Sequence, residues 1–252
     1  MKNKDSGQRS GLPVDDVAHA VINVLAEMPI ADPRRRWARA QELLRRAVLS
    51  DDIFECENVR AEIATLGMTD NEIVDSCIPE VARDLGGKWE DDSLSFAEVS
   101  RASSRLHSFC RHLEEEAQPV MNGDGFSILL VSLKREDHII GPAVLAKQLR
   151  RTGNHVSLMS NCTVDDIINR VSESSYDCLM ISLASLVGAR MAAEAVRRIH
   201  TLTERRIPIY LGGAALEYRT DLRDEVGADL VTSDIAVALE HMRRHRSEFM
   251  RG

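Results

Sequence analysis

The sequence predicts an α plus α/β protein: a helical bundle followed by a doubly wound, five-stranded parallel sheet. Three observations carry this expectation. From about residue 35 to 118 the apolar residues recur at helical spacing. After Gly125 the grammar changes to continuous apolar runs, FSILLVSLK and YDCLMISLA, the mark of strands buried on both faces. Strand-like and helix-like runs then alternate five times, which is the order of a parallel sheet covered on both sides. The expected organisation is therefore residues 1–30 as a flexible segment with a short helix, 31–120 as a helical cap and 125–252 as a Rossmann-like unit.

Element by element, VDDVAHAVINVLAEM (14–28) has helical spacing and is broken by Pro29 and Pro33. WARAQELLRRAVLS gives an amphipathic helix, and DIFECENVRAEIATLG a second that stops at Gly67. In TDNEIVDSCIPEVARDLGGKWED, Thr69 and Glu72 have the spacing of a capping box, and Gly86-Gly87 are expected to end the helix. SFAEVSRASSRLHSFCRHLEEEAQ is a fourth helix, and Pro119 with NGDG makes a linker. Beyond it come the strand at 126–134, a helix at 143–152, the strand HVSLMS and the helix VDDIINRVSES. The strand YDCLMISLA, the helix GARMAAEAVRRIHTL and the strand IPIYLGG follow. A short helix in ALEYRTDLRDEV, the strand ADLVTS and a closing helix complete the chain.

Composition narrows the function. A formal net charge of −8 excludes a general nucleic-acid binder, although the basic stretch PRRRWARAQELLRR could meet a partner or DNA phosphates; a solvated helix face is the favoured reading. No window approaches the roughly 18 apolar residues of a membrane span, and the polar N-terminus lacks an apolar signal core, so a cytoplasmic protein is expected. The five cysteines, Cys56, Cys77, Cys110, Cys162 and Cys178, form no CxxC pair and fit reduced, buried thiols.

Ligands of doubly wound sheets bind beyond the carboxyl ends of the strands. Three such ends are unusual here. The first carries Glu136-Asp137-His138 and then Gly141; the third ends in Ser182; the fourth ends in Gly212-Gly213. Singly each has a bland reading: an exposed histidine, a helix cap, a strand-to-helix turn. No GxGxxG, Walker, HExxH or GxSxG pattern competes for the rim.

Taken in order, E-x-H-x-x-G, then Ser182, then Gly212-Gly213 resembles the cobalamin-binding domain family, whose motif is D-x-H-x-x-G, S-x-L and G-G. Two departures stand out: Glu136 replaces the aspartate, and Ser182-Leu183-Ala184 lacks the final leucine. The resemblance implies that His138 ligates cobalt in place of the cofactor's own base. The base and its nucleotide tail would then enter a slot in the sheet, with room left by Gly141, Gly212 and Gly213 and a hydrogen bond from Ser182. A neutral imidazole suits a transition metal, and the carboxylates of Glu136 and Asp137 are placed to orient it.

The stretch LGGKWEDDSLSFAEVSRASSRL resembles the four-helix cap found before many such domains, with Trp89 as the aromatic over the upper corrin face and Glu98 as the closing acid. A core tryptophan is the alternative for Trp89. Photoreceptors of the CarH type carry the tryptophan, nine intervening residues and then Glu-His; counted from Trp89, this chain has Val99-Ser100 there. His107 and His112 are expected to be surface or packed residues. Residues 30 to 245 as a whole resemble the AerR/PpaA group. That resemblance implies a non-enzymatic, light-responsive antirepressor of photosynthesis genes, partnered by a CrtJ/PpsR-type repressor, with direct DNA contact not favoured. The alternatives are a corrinoid shuttle for methyl transfer and a haem-binding redox sensor on the same fold.

Overall fold

In a computed structural model, residues 33–115, 125–134, 139–202, 207–218 and 221–249 are described. The expected helix at 14–28 and the linker around Pro119 lie outside them.

The cap is built from amphipathic helices. Helix α1 (Pro33–Leu49) buries Ala40, Leu44 and Val48, one stripe at four-residue spacing. Helix α2 (Cys56–Ala64) buries Val59 and Ile63 and starts later than the sequence pattern implied. Arg105 explains the delay. Its guanidinium donates to the carbonyls of Val48 (3.1 Å) and Asp52 (2.7 Å), holding the residues before α2 as a loop. Next comes one unbroken rod: α3 (Asp70–Glu72), a π turn (Ile73–Cys77) and α4 (Ile78–Glu90). Thr69 and Glu72 form the expected capping box at its start. The π turn has a local cause. Pro79 has no N–H for the Asp75 carbonyl, and the ring needs the space an α turn would fill; the chain widens, and the Ile78 N–H bonds Ile73 O instead. The rod does not stop at Gly86-Gly87. Lys88 pairs with Asp84 (3.2 Å) across the two glycines, and Leu85 is locked in the core, so the helix runs on to Glu90. Helix α5 (Phe96–Glu115) returns antiparallel, burying Ala102, Leu106, Phe109 and Leu113.

The sheet contains β1 (Ser127–Leu133), β2 (His155–Cys162), β3 (Cys178–Ser182), β4 (Ile209–Gly212) and β5 (Leu230–Val231). All pairs are parallel, in the order β2-β1-β3-β4-β5. Helices α6 (Ile140–Arg151), α7 (Val164–Glu173), α8 (Leu186–Leu202), α9 (Leu222–Val226) and α10 (Ile235–Phe249) connect and cover it. The stretch read as one helix in ALEYRTDLRDEV is instead a 3-10 turn (Ala214–Glu217) and the short α9. One face of the sheet, with Leu129, Val131, Leu179, Ile181 and Leu211, packs under α7 and α8. The other, with Ile128, Leu130, Cys178, Met180 and Tyr210, packs under α6 and α10.

Helix α6 belongs to both units. Its Ala146 and Leu149 pack on the sheet, while Ile140, Ala143 and Val144 are part of the cap core. Polar ties fix its C-terminal half: Asp75 of the π turn accepts from Gln148 (3.0 Å) and Arg151 (2.6 Å), and buried Lys147 donates to Leu113 O at 2.8 Å. The open end of the α4–α5 hairpin is therefore held at the C-terminal half of α6.

The basic run of α1 is partly consumed inside the cap. Arg36 binds Glu72 (3.0 Å) and Gly67 O, and Arg45 binds Glu42 and Asp84. All five cysteines are free thiols. Burial raises Cys77, Cys110 and Cys162 to about 11, so they stay protonated and unreactive near neutral pH.

Asp75→Ala removes both links from the π turn to α6. Urea denaturation is expected to show a loss of roughly 1–2 kcal/mol, still in one cooperative transition because α6 is shared. Two separated transitions would contradict that sharing.

Candidate cofactor site

The order β2-β1-β3-β4-β5 puts the topological switch between β1 and β3, whose crossovers leave in opposite directions. The carboxyl ends of these two strands carry serines side by side. Ser132 is in register with Ser182, and Ser182 with Gly212. Alternation along a strand puts all three on the α6/α10 face. One step earlier on that face, Leu130, Met180 and Tyr210 are in register. Large apolar side chains thus give way to Ser-Ser-Gly across three strands, so the sheet surface steps down at its rim.

Local irregularities accompany the step. Between β1 and β2 the register slips by one residue, Val131 facing Met159 but Leu133 facing Cys162, with Asn161 at φ 56°. Ser132 falls at this bulge. It is 1% exposed, and its Oγ has no hydrogen-bond partner among the described residues. The interior serine of SILLVSL was the available signal in the sequence: a hydroxyl inside a doubly buried strand needs a partner.

The expected site residues fare differently. Glu136, Asp137 and His138 lie outside the described residues. Gly141, the exposed second residue of α6, follows His138 by three positions in sequence, and a Cβ built there meets nothing within 4 Å among the described residues. A Cβ on Gly212 would come within 3.2 Å of Thr232 O. Gly213 has φ 106°, and a Cβ there would sit 2.3 Å from Leu183 O, so the turn itself requires glycine. Trp89 is not a core residue. It stands 52% exposed near the end of α4, close in sequence to exposed Phe96. Glu98 makes a capping box at the start of α5, accepting from the Ser95 N–H (2.8 Å) and hydroxyl (2.7 Å), and these bonds hold its carboxyl below the usual range. His112 pairs with Glu57 at 3.1 Å, and half-buried His107 is pushed down by desolvation; both are packing residues of the cap.

Several apolar side chains stand exposed: Val187 follows β3, Tyr218 follows β4, and Trp89 and Phe96 flank the turn between α4 and α5. Among the described residues no cluster of His, Cys, Asp and Glu is arranged to hold a metal ion. None of the described helices is long and apolar enough to cross a membrane.

Residues 126–242 match the B12 binding domain family, which defines the class of this unit and its cofactor, cobalamin. The chain is 30% identical over 170 residues to a 20.5 kDa protein of the bchF–crtJ intergenic region of Rhodobacter capsulatus, covering 67% of this chain and 88% of that one. The chain belongs to that protein's family of B12-binding-domain proteins, in keeping with the AerR/PpaA resemblance. Among solved structures, the monomethylamine corrinoid protein of Methanosarcina barkeri has the same fold, with a TM-score of 0.61 at 15% identity over 80% of this chain and 96% of that one. A cobalamin-binding protein of Desulfitobacterium hafniense aligns at a TM-score of 0.43 and 15% identity, over 82% of this chain and 97% of that one.

The residues present fit the cofactor. The stepped surface at the switch point, the unclaimed space at Gly141 and the orphaned Ser132 hydroxyl are features a flat, inserted base would fill. The exposed apolar residues would suit contact with a macrocycle.

Gly213→Ala is expected to destabilise the protein by roughly 2–4 kcal/mol, read as a lowered thermal midpoint without any cofactor. An unchanged midpoint would mean that the turn can relax away from Leu183.

Proposed function

We propose that the chain is a light-responsive cobalamin regulator that acts on a transcriptional repressor of the CrtJ/PpsR type. The observation that carries this reading is the kinship with a protein of the bchF–crtJ region, joined to a cofactor rim shared by two mechanically linked units. Bound cobalamin would supply a light-responsive cobalt centre. His138 would hold the cobalt, and Glu136 or Asp137 would hold the second ring nitrogen of that histidine. Gly141, Ser182 and Gly212 make room for the base and its tail, and Gly213 shapes the turn beside them. Trp89 would pack against the corrin ring, and Glu98 fixes the start of the helix that follows. Helix α6, which begins two residues after His138 in sequence and carries the ties to Asp75 and Leu113, would couple the cofactor to the cap.

Fold likeness to the monomethylamine corrinoid protein supports a second reading, a corrinoid shuttle that carries methyl groups between separate enzymes. Capture of the repressor from solution in dark and light separates the two: state-dependent binding is expected for the regulator, and no binding in either state would favour the shuttle.

Three variants test the site. His138→Ala is expected to change the visible spectrum of bound cobalamin; an unchanged spectrum would remove His138 as a ligand. Trp89→Ala is expected to loosen the cofactor or change its photochemistry, and wild-type behaviour would leave Trp89 without a role in binding. Gly141→Ala is expected to leave the cofactor-free protein as stable as wild type, because the new Cβ meets open space and alanine suits a helix. The same change should weaken cobalamin binding about tenfold or more, measured by absorbance titration; undiminished affinity would show that the tail does not use that space.

A further inference from the structure

We propose that Ser132 is a second hydrogen-bonding residue for the buried tail of the cofactor, working beside Ser182; this rests on the cobalamin reading above. Three independent features converge on it. Ser132 is 1% exposed, yet its Oγ has no partner among the described residues. It lies in register with Ser182 at the switch point of the sheet, on the face where Leu130, Met180 and Tyr210 drop to Ser132, Ser182 and Gly212. It also falls at the β1–β2 bulge, where the ladder opens beside it.

Burying a hydroxyl without a partner is a standing cost, and few native side chains carry it. Neighbouring groups do not relieve it. The Ser132 carbonyl is engaged, accepting from the Cys162 thiol at 3.1 Å, but the side-chain oxygen is not. On the same face Ile128, Leu130, Cys178 and Met180 are in the apolar core. A hydroxyl can both donate and accept. A base or ribose arriving from the rim brings the missing partner. With Ser182 on the adjacent strand, two hydroxyls at neighbouring register positions then meet one flat ligand edge. Ser132 thereby adds preference for a corrinoid that carries a nucleotide tail over one that lacks it.

The test is Ser132→Ala in the full chain, titrated with hydroxocobalamin and with cobinamide, which has the same ring without the tail. Hydroxocobalamin affinity should fall about 5- to 50-fold while cobinamide affinity stays within about twofold of wild type. The cofactor-free variant should melt at the same temperature or about 2 °C higher, because an unpartnered polar atom has been removed. Equal affinity for hydroxocobalamin in variant and wild type would overturn the proposal. So would a parallel loss for both ligands with a lower melting temperature, which would make Ser132 a structural residue. If the wild-type chain bound cobinamide and hydroxocobalamin equally, no tail site would exist and the proposal would fall with the ring site intact. If it bound neither, the cobalamin reading itself would fall.

Discussion

Helix α6 is the element on which the arrangement depends, because its two faces serve two cores. Ala146 and Leu149 are sealed against the sheet, and Ile140, Ala143 and Val144 against the cap. A helix packed to interior density on both sides cannot shift against one partner without disturbing the other. Lys147 strengthens the constraint. Burial disfavours its charge and lowers its pKa, but its Nζ is tied to the C-terminal end of α5 through Leu113 O, where a cation meets unsatisfied carbonyls. The π turn completes the clamp: the irregularity imposed by Pro79 sits where Asp75 grips Gln148 and Arg151.

This geometry links the candidate site to the cap. Helix α6 starts at the carboxyl rim of the sheet, beside the switch between β1 and β3, and packs against the cap core. The sheet contributes a surface that steps down from Leu-Met-Tyr to Ser-Ser-Gly, and the cap contributes exposed Trp89 and Phe96.

Much of the fold was legible in the sequence, for physical reasons. Doubly buried strands need unbroken apolar runs, so β1 and β3 announced themselves, and the parallel order followed from alternation with helices. Capping boxes were visible at Thr69 because the chemistry is local. Glu98 was read from a family pattern, although Ser95 three residues earlier was an equally local cue. Tertiary effects were not legible. Gly86-Gly87 looked like a stop, yet an ion pair and a buried leucine carry the helix across them. The strand order, the bulge at Ser132 and the sharing of α6 depend on contacts between residues far apart in the chain. Of the candidate site, Gly141, Ser182, Gly212 and Gly213 were singled out by motif spacing. Only the three-dimensional structure could separate Gly213, needed by its own turn, from Gly141, where a Cβ meets nothing within 4 Å among the described residues.

The central proposal is that His138, in place of the cofactor's own base, would hold the cobalt of bound cobalamin. Electron paramagnetic resonance of the protein loaded with cob(II)alamin tests it most directly, comparing samples with ordinary and nitrogen-15 histidine. The account predicts that the nitrogen splitting on the cobalt lines changes from a triplet to a doublet on histidine labelling. A triplet unaffected by the label would mean that the cofactor's own base stays on the metal, and the slot, Ser132 and His138 would lose their assigned roles together.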